Sequence, residues 1–205
     1  GDVDVGYFHN GDKSAGRRLL LLSSKKVAGN ASHKAMIKAH PELNTYLTQK
    51  FATPQTGSFT LAYDVCIKEI LPDDNRSAFC LVGASYDKKN GPNSTGKERF
   101  VFLGWENAGR PGKVNLFARE GEKDWEGRTL LAADVDLMTW HRVELAVDVK
   151  AGNYKVRLDQ QPWSKPLKAF KTAAAVPKRL THVSFASWND GAGTFNVDNV
   201  TASAP

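Results

Sequence analysis

The sequence has little cysteine, no long apolar run, no internal repeat and no recognisable linker. Its two cysteines, Cys66 and Cys80, form no Cys-x-x-Cys pair, and no histidine cluster accompanies them, so the usual zinc spacings are absent. The longest compact apolar run, Leu19 to Leu22, follows Arg17 and Arg18; it is as long as a strand, not a bilayer span. No membrane insertion is expected. No signal peptide is visible, and the chain starts on a bare Gly, as a trimmed or mature form would. None of the usual nucleic-acid motifs occurs, so no nucleic-acid partner is expected. Without repeat or linker, residues 1–205 read as one domain, expected to be a monomer.

What is present suits a folded domain. Hydrophobic residues make up 41% and charged residues 24% of the 205 positions, which is globular composition on a chain long enough for one well-buried core. The net charge is +6. The basic residues are spread out, with small clusters at Arg17-Arg18, Lys25-Lys26 and Lys88-Lys89. That gives a soluble basic surface, or a site for a polyanion.

Nearly everywhere the apolar residues alternate with polar ones. In SFTLAYDVCIKEI, Phe59, Leu61, Tyr63, Val65 and Ile67 share one parity, which makes a strand with one buried face. Pro72-Asp73-Asp74-Asn75 turns the chain, and SAFCLVGAS follows. Cys66 and Cys80 fall on the parity opposite to the large apolar residues of these two strands. If the strands are neighbours, a cross-strand disulfide can form in a secreted protein; otherwise the two are small buried thiols. Further strands are read at ERFVFLGWE, GKVNLFARE, HRVELAVDV, YKVRLDQ, THVSFASW and GTFNVDNVT, separated by turns rich in Gly, Pro and Asn. In the N-terminal third, RRLLLLSS, KAMIKAH and NTYLTQKF read as strands, because Pro41 stops any long helix. This pattern predicts an all-β antiparallel sandwich or barrel.

The segment WHRVELAVDVKAGNYKVRLD narrows that choice. Trp140-His141, an alternating strand, a Gly-Asn turn and a strand ending at Asp159 resemble the central hairpin of the concanavalin A-like lectin/glucanase superfamily, including its laminin-G-like members. Phe51-Ala52-Thr53-Pro54 before the strand Gly57 to Leu61 agrees with the resemblance, as does the closing Phe195 to Val200. The resemblance covers the chain from about Phe51 onward. It implies a jelly roll whose concave sheet offers a groove to sugars, and a secreted, extracellular or periplasmic setting. It does not fix function, because the superfamily holds hydrolases, lyases, lectins and adhesion modules.

Three readings follow. A glycoside hydrolase would need two carboxylates flanking the scissile bond. The Glu-x-Asp-x-x-Glu pattern of laminarinase-like relatives is missing; Glu120 to Asp124 reads as a turn and Asp134-Val135-Asp136 as a solvated loop. A polysaccharide lyase would need a Tyr or His to move a proton and Arg or Asn to neutralise a uronate. His182, Arg99, Arg119, Tyr63 and Tyr86 supply the types, although Tyr63 has core parity and the signature strands of alginate lyases are missing. A carbohydrate-binding module needs only aromatic faces and polar groups. It is the leading reading, with a lyase or hydrolase second and a laminin-G-like adhesion module third.

For binding, Trp188 with Asn189 and Asp190, Trp105, and Trp125 are the candidate contacts. Trp188 either touches ligand or packs its turn. Trp105 shares its parity with Val101 and Leu103, so its strand is buried on both sides if it is not a platform. Trp163 is a loop platform or plug, and Trp140 packs the hairpin. By parity Arg99, Arg119, Arg157 and His182 can join one face, which would favour an anionic polysaccharide. In the resembling modules an Asp in the last strand binds structural calcium with an acidic residue near the N-terminus. That implies Asp198 here, with Asp4 or Asp2; alternatively Asp198 bonds its own turn. Four glycosylation sequons, at Asn30, Asn75, Asn93 and Asn199, matter only in a eukaryotic secreted protein.

Overall fold

Alternation becomes strand pairing along the whole chain. The computed structural model describes residues 3–8, 20–23, 34–38, 44–70, 76–84, 99–121, 127–187 and 193–204; for 3–8, 20–23, Lys34 and Asn44 it describes the backbone alone. The strands are Val3–Phe8 (β1), Leu20–Ser23 (β2), Lys34–Lys38 (β3), Asn44–Gln55 (β4), Ser58–Ile70 (β5), Arg76–Gly83 (β6), Arg99–Asn107 (β7), Lys113–Ala118 (β8), Thr129–Asp136 (β9), Trp140–Asp148 (β10), Asn153–Leu158 (β11), Leu167–Lys168 (β12), Leu180–Ser187 (β13) and Gly193–Ser203 (β14). They form two seven-stranded sheets. Sheet I has the order β1-β4-β13-β6-β7-β8-β9, and sheet II the order β12-β11-β10-β5-β14-β3-β2. Every ladder is antiparallel. The molecule is an antiparallel sandwich, one of the two architectures that the alternation allows and the one that the hairpin resemblance implies.

The main core lies between the sheets. Phe59, Leu61, Tyr63, Val65 and Ile67 of β5 meet Val183 and Phe185 of sheet I, with the Tyr63 and Phe185 rings edge to face at 5.0 Å. Full burial of one such side chain contributes about 1.5–3 kcal/mol. The hairpin of β10 and β11 adds Val143, Leu145, Val147, Tyr154, Val156 and Leu158 to the same core.

The polar ends of that hairpin are structural. Asp159 adopts a positive φ of 52° and accepts from the Arg142 backbone N–H at 2.8 Å. Its other oxygen meets His141 Nδ1 at 3.0 Å, while His141 Nε2 meets the Asp136 carbonyl at 3.0 Å. His141 and the terminal Asp159 of the sequence pattern therefore pin the end of β11 to β10. Gly152 closes the other end at φ +67°, which L side chains rarely adopt.

Three expectations are corrected. Cys66 on β5 and Cys80 on β6 sit in different sheets and are both free and buried. Cys80 points into the main core, whereas Cys66 shares the outward parity of Asp64. The error came from β6, where Phe79 and Leu81 fill a second apolar cluster on the outer face of sheet I. Asp134 to Asp136 is not a loop but the end of edge strand β9, with Val135 buried. Its charges engage Arg110 and Lys113, and charge suits an edge strand because it discourages pairing with another chain.

Candidate functional site

Sheet I is buried on both faces, and its outer one carries polar and basic side chains beside a second apolar cluster. The outer cluster comprises Tyr46, Phe79, Leu81, Phe102 and Ala186, with Phe117 packed against it. Cross-strand register sets the rest of this face. Lys50 on β4 pairs with His182 on β13, His182 with Gly83 on β6, and Gly83 with Arg99 on β7. The next row runs Thr48, Ser184, Leu81, Phe102. Strands lie about 4.8 Å apart, so Lys50, His182 and Arg99 span about 15 Å across the sheet. Gly83 brings no side chain to the middle of that row.

Two guanidinium groups lie over one ring. Arg99 Cζ is 4.9 Å and Arg119 Cζ 5.8 Å from the Phe102 centroid. Arg119 follows β8, and its backbone N–H donates to the Phe102 carbonyl at 2.9 Å. The arginines use the phenyl ring as a rigid seat, and each cation is attracted to the ring's negative face. Beside them Arg128 stacks on Phe117 at 4.7 Å and pairs with Glu106 at 2.7 Å. Thr48 donates to the Ser184 hydroxyl at 2.8 Å.

His182 is 1% exposed. Burial, and next the charge of Lys50, push its pKa down to about 4. The imidazole is therefore neutral at neutral pH, and its Nδ1 lies 3.0 Å from Thr181 Oγ1. Tyr46 shares the outer face but sits two register rows away, opposite Ala186.

The predicted residues separate accordingly. Arg99, Arg119 and His182 come together on the outer face of sheet I. Trp105 does not: it is 0% exposed, in the main core, with its ring 6.3 Å from that of His141. Its strand is buried on both sides, and its own parity is the inner one. Arg157 lies on β11 in sheet II, paired with Glu144 and stacked on the exposed Trp163 at 4.7 Å. Trp140 is half-buried on the outer side of sheet II, opposite Cys66. Trp188, Asn189, Asp190, Trp125, Tyr86 and Asp2 lie outside the described residues. Asp198 is on β14 in sheet II and Asp4 on β1 at the edge of sheet I. Lys50, Phe102, Phe117 and Arg128 were missed. For Lys50 the signal was present in the parity of Tyr46, Thr48 and Lys50; for the phenylalanines, an apolar residue carries no mark of which buried face it takes.

No family model matches the sequence, and no curated protein is similar to it. Solved structures share its fold. An alginate lyase from Pseudomonas aeruginosa is 12% identical with a TM-score of 0.60, over 84% of this chain and 83% of that one. The carbohydrate recognition domain of Emp47p is 14% identical with a TM-score of 0.56, over 90% of this chain and 92% of that one. A sialidase is 11% identical with a TM-score of 0.52, over 84% of this chain, which spans only 15% of that enzyme. At these identities the likeness is one of fold alone, a two-sheet jelly-roll β-sandwich.

Proposed function

We propose that this chain is a non-catalytic carbohydrate-binding module that holds an anionic polysaccharide on the outer face of sheet I. The observation that carries the reading is the pair Arg99 and Arg119 seated on Phe102, in the same face as Lys50. Guanidinium forks match sugar carboxylates or sulfates in bidentate geometry. The carbohydrate recognition domain and the alginate lyase that share the fold make a sugar ligand the natural class. Such a ligand is met outside the cytosol, so an extracellular or periplasmic setting goes with the proposal.

Binding is favoured over cleavage by the state of His182. A base must reach the proton it removes, and this imidazole is 1% exposed. Glu106, a carboxylate on the same face, is held by Arg128. A lyase acting on an acidic polysaccharide is the second reading, since Tyr46, His182 and two arginines do share the face.

Affinity electrophoresis against a polyuronate, a sulfated glycan and a neutral glucan tests the proposal. Retardation by the anionic gels, without new absorbance from unsaturated uronate, is expected. Arg99→Ala and Arg119→Ala should each weaken it about tenfold, the loss of one charged hydrogen bond. Unsaturated product would sink the non-catalytic reading, and retardation by neutral glucan alone would sink the anionic one.

A further inference from the structure

The outer face of sheet II carries a polar network at the bulge of β14. Asp64 on β5 lies directly between Arg142 on β10 and Asp198 on β14. Like charges on directly opposed strand residues repel, so the Asp64–Asp198 pair calls for a cation. The register then shifts between Asp198 and Thr201, and Asn199 takes a positive φ of 49°. At the bulge the Asn199 carbonyl and the Thr201 hydroxyl face the Arg142 guanidinium. Into this group reaches Arg142. Its Nη1 donates to Asp64 Oδ1 at 3.0 Å and to the Asn199 carbonyl at 3.1 Å, and its Nη2 to Thr201 Oγ1 at 3.5 Å. Asn199 Nδ2 donates to the other Asp64 oxygen at 2.6 Å, and Asp198 Oδ1 accepts from the Asn199 N–H at 2.7 Å.

A carboxylate, a main-chain carbonyl and a hydroxyl gathered around one side chain are the oxygen types that calcium collects. Here that side chain is a guanidinium. The calcium implied for Asp198 by family resemblance therefore does not fit. Both oxygens of Asp64 already accept hydrogen bonds, Arg142 brings a fixed positive charge against any incoming ion, and Asp4 belongs to the other sheet.

We infer that Arg142 is a built-in replacement for a divalent cation: it neutralises Asp64, which faces Asp198 across the strands, and fixes the final bulge, so that the sandwich closes without metal. The oxygen cage is retained, and the side chain is the ion.

Thermal unfolding in calcium and in excess chelator tests this. For the unaltered protein both conditions should give the same Tm. Arg142→Ser empties the cage while keeping its oxygens; its Tm should fall by about 3–6 °C, the shift that loss of such a network produces in a chain of this size. Calcium should then restore part of the loss in a saturable way, and terbium should luminesce on the variant alone. Arg142→Lys, which keeps a cation, should lose less and stay indifferent to calcium. A saturable, chelator-reversible rise in the Tm of the unaltered protein overturns the inference. So does an Arg142→Ser variant whose stability ignores calcium. If that variant does not fold, Arg142→Gln, which keeps the packing and one donor, is read in the same way.

Discussion

Tyr154 on β11 donates its hydroxyl to the main-chain carbonyl of Arg119, just beyond β8, at 2.8 Å. The bond crosses the core and ties sheet II to sheet I at the residue that seats one of the two site guanidiniums. Tyr154 is 0% exposed, and burial pushes its ionisation well above the ordinary tyrosine range. The phenol therefore remains a donor at any working pH. Tyr154→Phe leaves a buried carbonyl without its donor, at a cost of about 1–3 kcal/mol. Urea unfolding measures that loss, and retardation on anionic gels should weaken as well, because Arg119 loses its anchor. A variant with unaltered stability would show that the hydroxyl ties nothing.

His182 makes stability depend on pH in a known direction. Its folded value of about 4 lies below the ordinary 6.5. As the pH falls from 6.5 toward 4, the unfolded chain takes up a proton that the folded chain refuses. Stability is thus full above pH 6.5 and lost on acidification, by at most about 3 kcal/mol from this residue. The facing charge is Lys50, so His182→Gln should flatten the pH dependence between pH 7 and 4.5 relative to the unaltered protein. Equal slopes in both would mean that His182 is not held neutral.

The thiols should be silent in the native state. Cys66 and Cys80 are 1% and 0% exposed, and burial pushes the Cys80 thiol up to about 12. Thiolate is the reactive form, so Ellman's reagent should titrate no thiol natively and two after denaturation. Reductant should leave the Tm unchanged. Fast native labelling of either cysteine would contradict the placement.

Gly152 should tolerate no side chain. A Cβ there would lie 2.6 Å from Val176 Cγ2, at a φ of +67°. Gly152→Ala combines a strained backbone with a clash and should cost about 1–3 kcal/mol. Gly109 has a similar φ of +72° with nothing within 4 Å. Gly109→Ala should therefore cost the backbone part alone, and the difference between the two variants in chemical unfolding reads out the clash with Val176.

Alternation in β5, β10 and β11 determined an all-β fold with one-faced strands from sequence alone. Successive strand side chains take opposite faces, so one apolar parity is enough to specify a buried face. The same rule turned Arg119 and His182 outward, whereas Arg99, which shares the parity of Trp105, reaches that surface through the register shift between Val82 and Gly83. It failed for Trp105 and Cys80, which lie on strands buried on both sides, where both parities are apolar and neither is marked as inward. Only tertiary packing decided that Trp105 faces the core while Phe102 faces out beneath two arginines. Only strand order decided that Cys66 and Cys80 belong to different sheets, and that Arg142, Asp64 and Asn199 meet although 78 and 135 residues separate the bonded pairs. Local periodicity says which side chains share a face of one strand. Which strands become neighbours is set by long-range pairing, and no window of sequence holds both partners.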